Sequence, residues 1–386
     1  MSFQFIHPVC GIQGAYFDST LLAISQWPTV NLPALSIIQD PPPESGSLQK
    51  QAFAQPLVFF RLDPCLSNLI HSNALSPSLT SLRIRIPTRP VARSLCASAH
   101  SSTSGIPPNL VFLDLSTCGV LENELDMLLV YFASLQHVIL DGCAILRGDL
   151  HDGEYGALGK RCALIGVRRA KEREKSLKAW LESRYIADAI DGNHPSAVST
   201  DLNRPTKSAK RGRKGLGTST ISFRSASTNA RTSSSTLSLP HNTANAATSS
   251  SNKKAIPKIR ILPPLPCLQS LSVTVPAMIK TDKYPIIRAE FEVGWAEGIA
   301  QLAVTRGRMR TSAGNGVRVM RLVGSEEDSE LNEEGFEGLV EIEPDDVDAF
   351  GLCVDVPVPV LCFSGADPEG EHSSNCGHVI GWELMR

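Results

Sequence analysis

Between Leu110 and Leu146 the chain writes one apolar pattern twice, and that repetition limits its possible folds more than any other feature. Leu110, Leu113, Leu115, Cys118 and Val120 return as Leu135, Val138, Leu140, Cys143 and Ile145, a shift of 25 positions (110 to 135). Apolar residues at alternate positions place Leu113 with Leu115, and Val138 with Leu140, on one face of a short strand, leaving the other face free. Between the copies, Leu125, Leu128, Leu129 and Phe132 follow the i, i+3, i+4, i+7 spacing of a helix. A strand followed by a helix cannot bury its apolar side alone. Further copies must therefore stack on the same core.

Candidates for those copies are Leu79, Leu82 and Ile84, then Leu268, Leu271 and Val273, and more weakly Leu57, Phe60 and Leu62 with Leu32, Leu35 and Ile37. Cys118 and Cys143 take a turn position where a small side chain sits beneath the bend and meets backbone groups; both are expected to be packing residues. The pattern L-x-x-L-x-L-x-x-C/N-x-L resembles the leucine-rich repeats of the ribonuclease-inhibitor-like and F-box-associated types. That resemblance implies an α/β leucine-rich-repeat solenoid, irregular, with short strands plus helices. Two further helical stretches, RRAKEREKSLKAWLE and FEVGWAEGIAQLAVTRGRMR, are similar to those of fungal F-box/leucine-rich-repeat-like proteins. The resemblance implies a substrate receptor of a cullin-type ubiquitin ligase, although the Leu-Pro-led helices of an F-box are not found in residues 1–56.

Composition shifts divide the chain. Residues 1–56 read as an irregular amino-terminal cap, with a Pro-rich loop at Pro41 to Ser47. Residues 57–190 carry the repeats and then one long helix from Gly159 to Ile190. That helix has an apolar stripe of Leu177, Trp180, Leu181 and Tyr185, and a basic face of Arg168, Arg169, Lys171, Arg173, Lys175 and Lys178. Residues 191–257 are rich in Ser, Thr, Asn and Ala and too poor in apolar residues to build a core, so they read as a disordered insertion. Their basic cluster, Lys207, Lys210, Arg211, Arg213 and Lys214, suits an import signal. From 258 to 386 the repeats resume. A helix over Arg288 to Arg310 ends in Arg306, Arg308 and Arg310, cations that suit a helix carboxyl end. An acidic loop (325–348) follows, able to pair with the basic helix or recruit a basic partner, and the chain closes with a strand, a loop and a final capping strand.

Several function classes drop out. Ten cysteines without a C-x-x-C pair read as reduced thiols rather than a disulfide framework. The start, MSFQFIHPVCGIQGAYF, lacks the charged and continuously apolar segments of a signal peptide, and no run approaches a membrane span. A nuclear or cytoplasmic protein is expected. No nucleophile elbow, H-E-x-x-H, Walker or dinucleotide loop occurs, so no catalytic residue and no cofactor is proposed. Cys362, His372, Cys376 and His378 are the one cluster of metal-type side chains, but their separations of ten, four and two do not match paired-ligand spacing, and no metal site is expected.

The expected activity is protein binding on a concave face. Arg61, Arg83, Asp114, Ile139 and Ser272 hold the central outward position of the proposed strands, flanked by Phe59, Arg85, Phe112 and His137. A formal net charge of −2 does not imply a polyanion or membrane partner. The alternative is a nuclear nucleic-acid-associated protein using the basic helix and the KRGRK cluster.

Overall fold

The computed structural model describes residues 2–7, 21–26, 31–39, 62–72, 75, 78–96, 109–143, 145, 153–191, 258–275, 279–323, 336, 338–351, 355–365 and 369–384. Nearly all of them belong to one unit formed by Met1–Ser183 with Pro257–Arg386; of the second unit, Arg184–Ile256, only the helical run to Asp191 is described. The fold is mixed α/β. Its centre is a parallel sheet of seven strands: β1 (Ser2–His7), β2 (Ala34–Gln39), β3 (Ser81–Arg85), β4 (Phe112–Asp114), β5 (His137–Leu140), β7 (Ser270–Val273) and β10 (Val360–Cys362). They lie side by side in chain order. The strands between, β6 (Ile259–Ile261), β8 (Arg318–Leu322) and β9 (Leu339–Glu341), form a separate three-stranded sheet in which β6 and β8 are parallel and β8 and β9 antiparallel.

Register turns the sequence pattern into two rows across the main sheet. Leu35, Leu82, Leu113, Val138, Leu271 and Leu361 stand opposite one another from β2 to β10 and are all buried. One residue further on, the outward row reads Ser36, Arg83, Asp114, Ile139, Ser272 and Cys362. A pleated strand alternates faces, so the apolar row fixes which side every other residue takes. Helices cover the apolar side: α1 (Leu62–Ile70), α2 (Val91–Cys96), α3 (Glu122–Tyr131), α4 (Glu154–Ala163), and the first half of α6 (Tyr284–Gly314) through Ile287, Phe291 and Trp295.

At the strand ends Cys118 and Cys143 behave alike. Cys118 Sγ donates to the Ile84 carbonyl at 3.3 Å and accepts from the Ile86 amide, and Cys143 Sγ donates to the Leu115 carbonyl at 3.2 Å. Each thiol thereby ties its turn to the preceding strand. Burial is the largest influence on both and pushes both thiols up to about 12. The same turns require a left-handed backbone, supplied by Thr117 (φ 67) in one and by Gly142 (φ 70) in the next.

The second sheet packs on the long helix α5 (Ile165–Asp191). Ala170, Leu177, Trp180 and Leu181 meet Ile261, Met320, Phe336 and Leu339, with the Trp180 and Phe336 rings edge-to-face at 5.9 Å. So the carboxyl-terminal part of the acidic stretch reaches the basic helix through an aromatic contact. Within that stretch Glu341 pairs with Arg318 on the neighbouring strand; residues 324–335 and 337 lie outside the described residues.

Four expectations need correction. The long helix is two helices, α4 and α5, separated at Leu164, whose backbone leaves helical geometry (φ −92, ψ 6). Each half docks differently: α4 packs on α6 so closely that a Cβ on Gly159 or Gly294 would strike the opposite backbone, whereas a Cβ on Gly166 in α5 would strike the Pro264 carbonyl. A one-residue break of this kind leaves apolar periodicity nearly unchanged. Leu62, expected in a strand with Leu57 and Phe60, opens a helix; its two companions lie outside the described residues. Arg306 serves no helix terminus. It is 5% exposed, and its guanidinium donates to the carbonyls of Phe350 and Pro263 at 2.7 and 2.6 Å, while α6 continues to Gly314. Lastly, the closing element is a helix, α7 (Gly377–Leu384), where a strand was expected. Its Gly-His-Val-Ile-Gly sequence is too short for either periodicity to declare itself.

The basic face of α5 is partly consumed within the fold. Arg169 donates to the carbonyls of Leu129 and Val130 at the carboxyl end of α3, and Arg168 pairs with Asp126 and Glu172. Among the described residues no helix is long and apolar enough to cross a membrane.

Candidate metal centre on the sheet face

The outward face of the main sheet receives α7, which packs on β4, β5 and β7. Two glycines a helical turn apart make this possible. A Cβ on Gly377 would come within 3.1 Å of Ile139, and one on Gly381 within 2.7 Å of the Phe112 ring, so the helix backbone lies directly on the side chains below. Arg83 reaches the Gly381 carbonyl at 3.4 Å. Beneath or beside this helix Phe112, Asp114, His137, Ile139 and Ser272 are buried. The side chains of Arg83 and Arg85 keep 13% and 27% exposure. Seven of the nine outward residues named from the sequence are thus described, and they share the face that α7 occupies; Phe59 and Arg61 lie outside the described residues. So do Lys207, Lys210, Arg211, Arg213 and Lys214.

Asp114 is the electrostatic centre of the face. Its Oδ2 accepts from Arg83 Nε at 2.9 Å and Arg85 Nη2 at 2.7 Å, and its Oδ1 from the Ser116 amide and hydroxyl. Burial works to raise this carboxyl, but the Arg85 charge, the hydrogen bonds from Arg85 and Ser116, and Arg83 outweigh it and hold Asp114 below the usual carboxylate range.

At one end of the outward row the structure gathers Cys362, His372, Cys376 and His378. Cys362 ends β10, His372 lies in the following loop, Cys376 immediately precedes α7 and His378 is its second residue. Their four donor atoms lie within 4.8 Å of one another. His378 Nδ1 is 3.5 Å from Cys362 Sγ, and His372 Nδ1 is 3.7 Å from Cys362 Sγ and 3.4 Å from Cys376 Sγ. The far nitrogen of His378, Nε2, is 2.6 Å from Asp141 Oδ2 in the turn after β5. Trp382 covers the group, its ring 5.0 Å from that of His372. Burial works to raise the Cys362 thiol, but hydrogen bonds with His378, the Ser364 backbone and His372 overcome it and lower the thiol to about 6. For His378 burial works to lower the imidazole; hydrogen bonds with Asp141 and Cys362 overcome it and raise the ring to about 10.

Linear spacing argued against a shared site, and that argument fails here because the donors come from a strand, a loop and a helix that the sheet face brings together. One signal was available in the sequence. In Val360-Leu361-Cys362-Phe363 the apolar alternation points Leu361 and Phe363 inward, which sends Cys362 outward into the same row as Ser272. Asp141 carries no comparable signal, being 237 positions from its partner (141 to 378). No protein-family model, no curated protein and no solved structure matches this chain.

Proposed function

We propose that the chain is a non-catalytic protein-interaction module built on a leucine-rich-repeat array, with the outward sheet row as its recognition face. The observation that carries this reading is that the face already receives a helix. Short side chains (Ser36, Ser270, Ser272) alternate with Arg83, Arg85, Asp114 and Phe112, giving a floor on which a helix can lie, with charged and aromatic anchors at hand. The chain's own α7 takes the part over β4, β5 and β7, and the partly exposed Arg83 and Arg85 mark where a partner segment joins or displaces it. The family resemblance extends the reading to a substrate receptor for a cullin-type ubiquitin ligase. The competing assignment to nucleic acid draws on the basic helix, of which Arg168 and Arg169 are engaged internally.

A photo-crosslinking residue placed at position 85 tests the reading in the native cell, with position 175 on the exposed side of α5 as control. Crosslinks to one protein from position 85 and not from 175 are expected, and recovery of a ligase adaptor would support the receptor assignment. Equal labelling from both positions sinks the proposal. Nucleic acid crosslinked from 175 alone would favour the alternative.

A further inference from the structure

We propose that Cys362, His372, Cys376 and His378 hold one zinc ion, and that the ion fastens α7 across the sheet face. Geometry is the first argument. Zinc bound tetrahedrally at about 2.3 Å from sulfur and about 2.0 Å from nitrogen places a sulfur and a nitrogen ligand about 3.5 Å apart. Three of the four S···N separations, 3.4, 3.5 and 3.7 Å, match that edge, and all four donor atoms lie within 4.8 Å of one another. The second argument is chemical: two thiolates with two imidazoles suit zinc and not the oxygen-seeking magnesium or calcium. Four protein donors close the coordination sphere, which marks a structural ion rather than a hydrolytic one.

Asp141 supplies the third and independent argument. Metal-bound histidines characteristically give their other ring N–H to a carboxylate, which fixes the tautomer that ligates. His378 meets this condition: Nδ1 faces the sulfur of Cys362 while Nε2 meets Asp141 Oδ2 at 2.6 Å, and His378 is 2% exposed. Asp141 is therefore a positioning residue for the ligand. Access is provided by a cleft of about 400 Å³ whose walls include Arg288, Cys362 and His372. Because Cys376 and His378 bracket the start of α7 while Cys362 belongs to the sheet, occupancy ties helix to sheet. The inference stands apart from the interaction reading and can hold if that reading fails.

The test uses the full chain, purified with reductant and supplied with zinc. Metal analysis is expected to find one zinc per chain, and replacement by cobalt(II) to give the visible bands of a tetrahedral site with sulfur-to-cobalt charge transfer. Cys376→Ser and His372→Ala should each abolish those bands, whereas Asp141→Asn keeps the stoichiometry and weakens affinity about 10–100-fold. Far-UV circular dichroism checks folding; should Cys376→Ser fail to fold, His372→Cys keeps a donor and must still bind. Hydrogen exchange of residues 377–384 should quicken at least about tenfold on chelation, the size expected when a local tether is released. Absence of metal from the reduced protein, stoichiometry indifferent to these substitutions, or a Cys362–Cys376 disulfide in the cell-purified chain would overturn the site. Unchanged exchange would overturn the fastening role.

Discussion

Two pairs of buried cysteines in this protein differ in the partners that surround them. Cys118 and Cys143 lie beneath successive turns, buried, each bonded to a backbone carbonyl of the preceding strand. Cys362 and Cys376 sit on the other side of the sheet, faced by imidazoles. The first pair is held through neighbours 34 and 28 positions away on the adjoining strand and turn; the second exists only because a strand, a loop and a helix converge. A thiol's role is thus set by what the fold brings against it. In the repeat interior its partners are carbonyls that need a weak donor, and on the outward face they are groups that share a metal.

The sharpest way to break this comparison is through Asp114, which belongs to the outward face but draws its partners from the repeat. Asp114→Ala leaves Arg83 and Arg85 without their buried counter-charge and should cost about 3–5 kcal/mol in denaturant unfolding. The pH dependence carries a definite sign. Since the folded carboxyl lies below its unfolded value of about 3.9, its stabilisation is fully present above that pH and is lost as pH falls through the depressed value. The wild-type chain should therefore lose stability steeply on acidification, and the variant less so; parallel curves would show that Asp114 is not held as described.

Next in size is thiol labelling. In metal-free protein Cys362 and Cys376 should react with an alkylating reagent at least about a hundredfold faster than Cys118 and Cys143, because the first pair is uncovered when α7 and the loop before it lift from the sheet face, while the second is reached only when the core unfolds. Comparable rates at all four, read by mass spectrometry of peptides, would erase the distinction drawn here. The smallest expected effect sharpens the repeat side. Thr117 adopts a left-handed conformation that costs a β-branched residue about 1–2 kcal/mol, and the equivalent turn uses Gly142. After the entropy cost of glycine, Thr117→Gly should stabilise by up to about 1 kcal/mol, seen as a Tm rise of a few degrees; a fall would show that the threonine side chain makes a compensating contact.

What the sequence made legible was whatever repeats at short range. Leu113 with Leu115 and Val138 with Leu140 announced their strands, and even the weak copy Leu32, Leu35, Ile37 lies in or beside a strand of the same sheet. The same alternation identified the outward residues of β3, β4, β5 and β7. Hidden from it were the features that depend on what docks from elsewhere. Arg306 sits among charges that read as a helix end, yet its partners are carbonyls 43 and 44 positions away. Gly377 and Gly381 lie in a stretch that reads as a closing strand, while what they do is let a helix lie flat on Ile139 and Phe112. The cage of Cys362, His372, Cys376 and His378 was visible as a list of residue types, but its distances follow only from the seating of α7.

The long helix α6 carries a mechanical consequence. Its first half is embedded in the main core through Phe291 and Trp295, and its second half lines the smaller sheet through Met309 and Ala313. At 31 residues it is a rod of about 46 Å. Arg306 bolts that rod to the carbonyls of Pro263, just after β6, and Phe350, beyond β9. A beam anchored in two cores does not let one shear past the other without bending or pulling a buried guanidinium from its carbonyls. Strain applied at the small sheet is therefore carried to the main sheet as torque on a single stiff member, and the two cores share one mechanical fate.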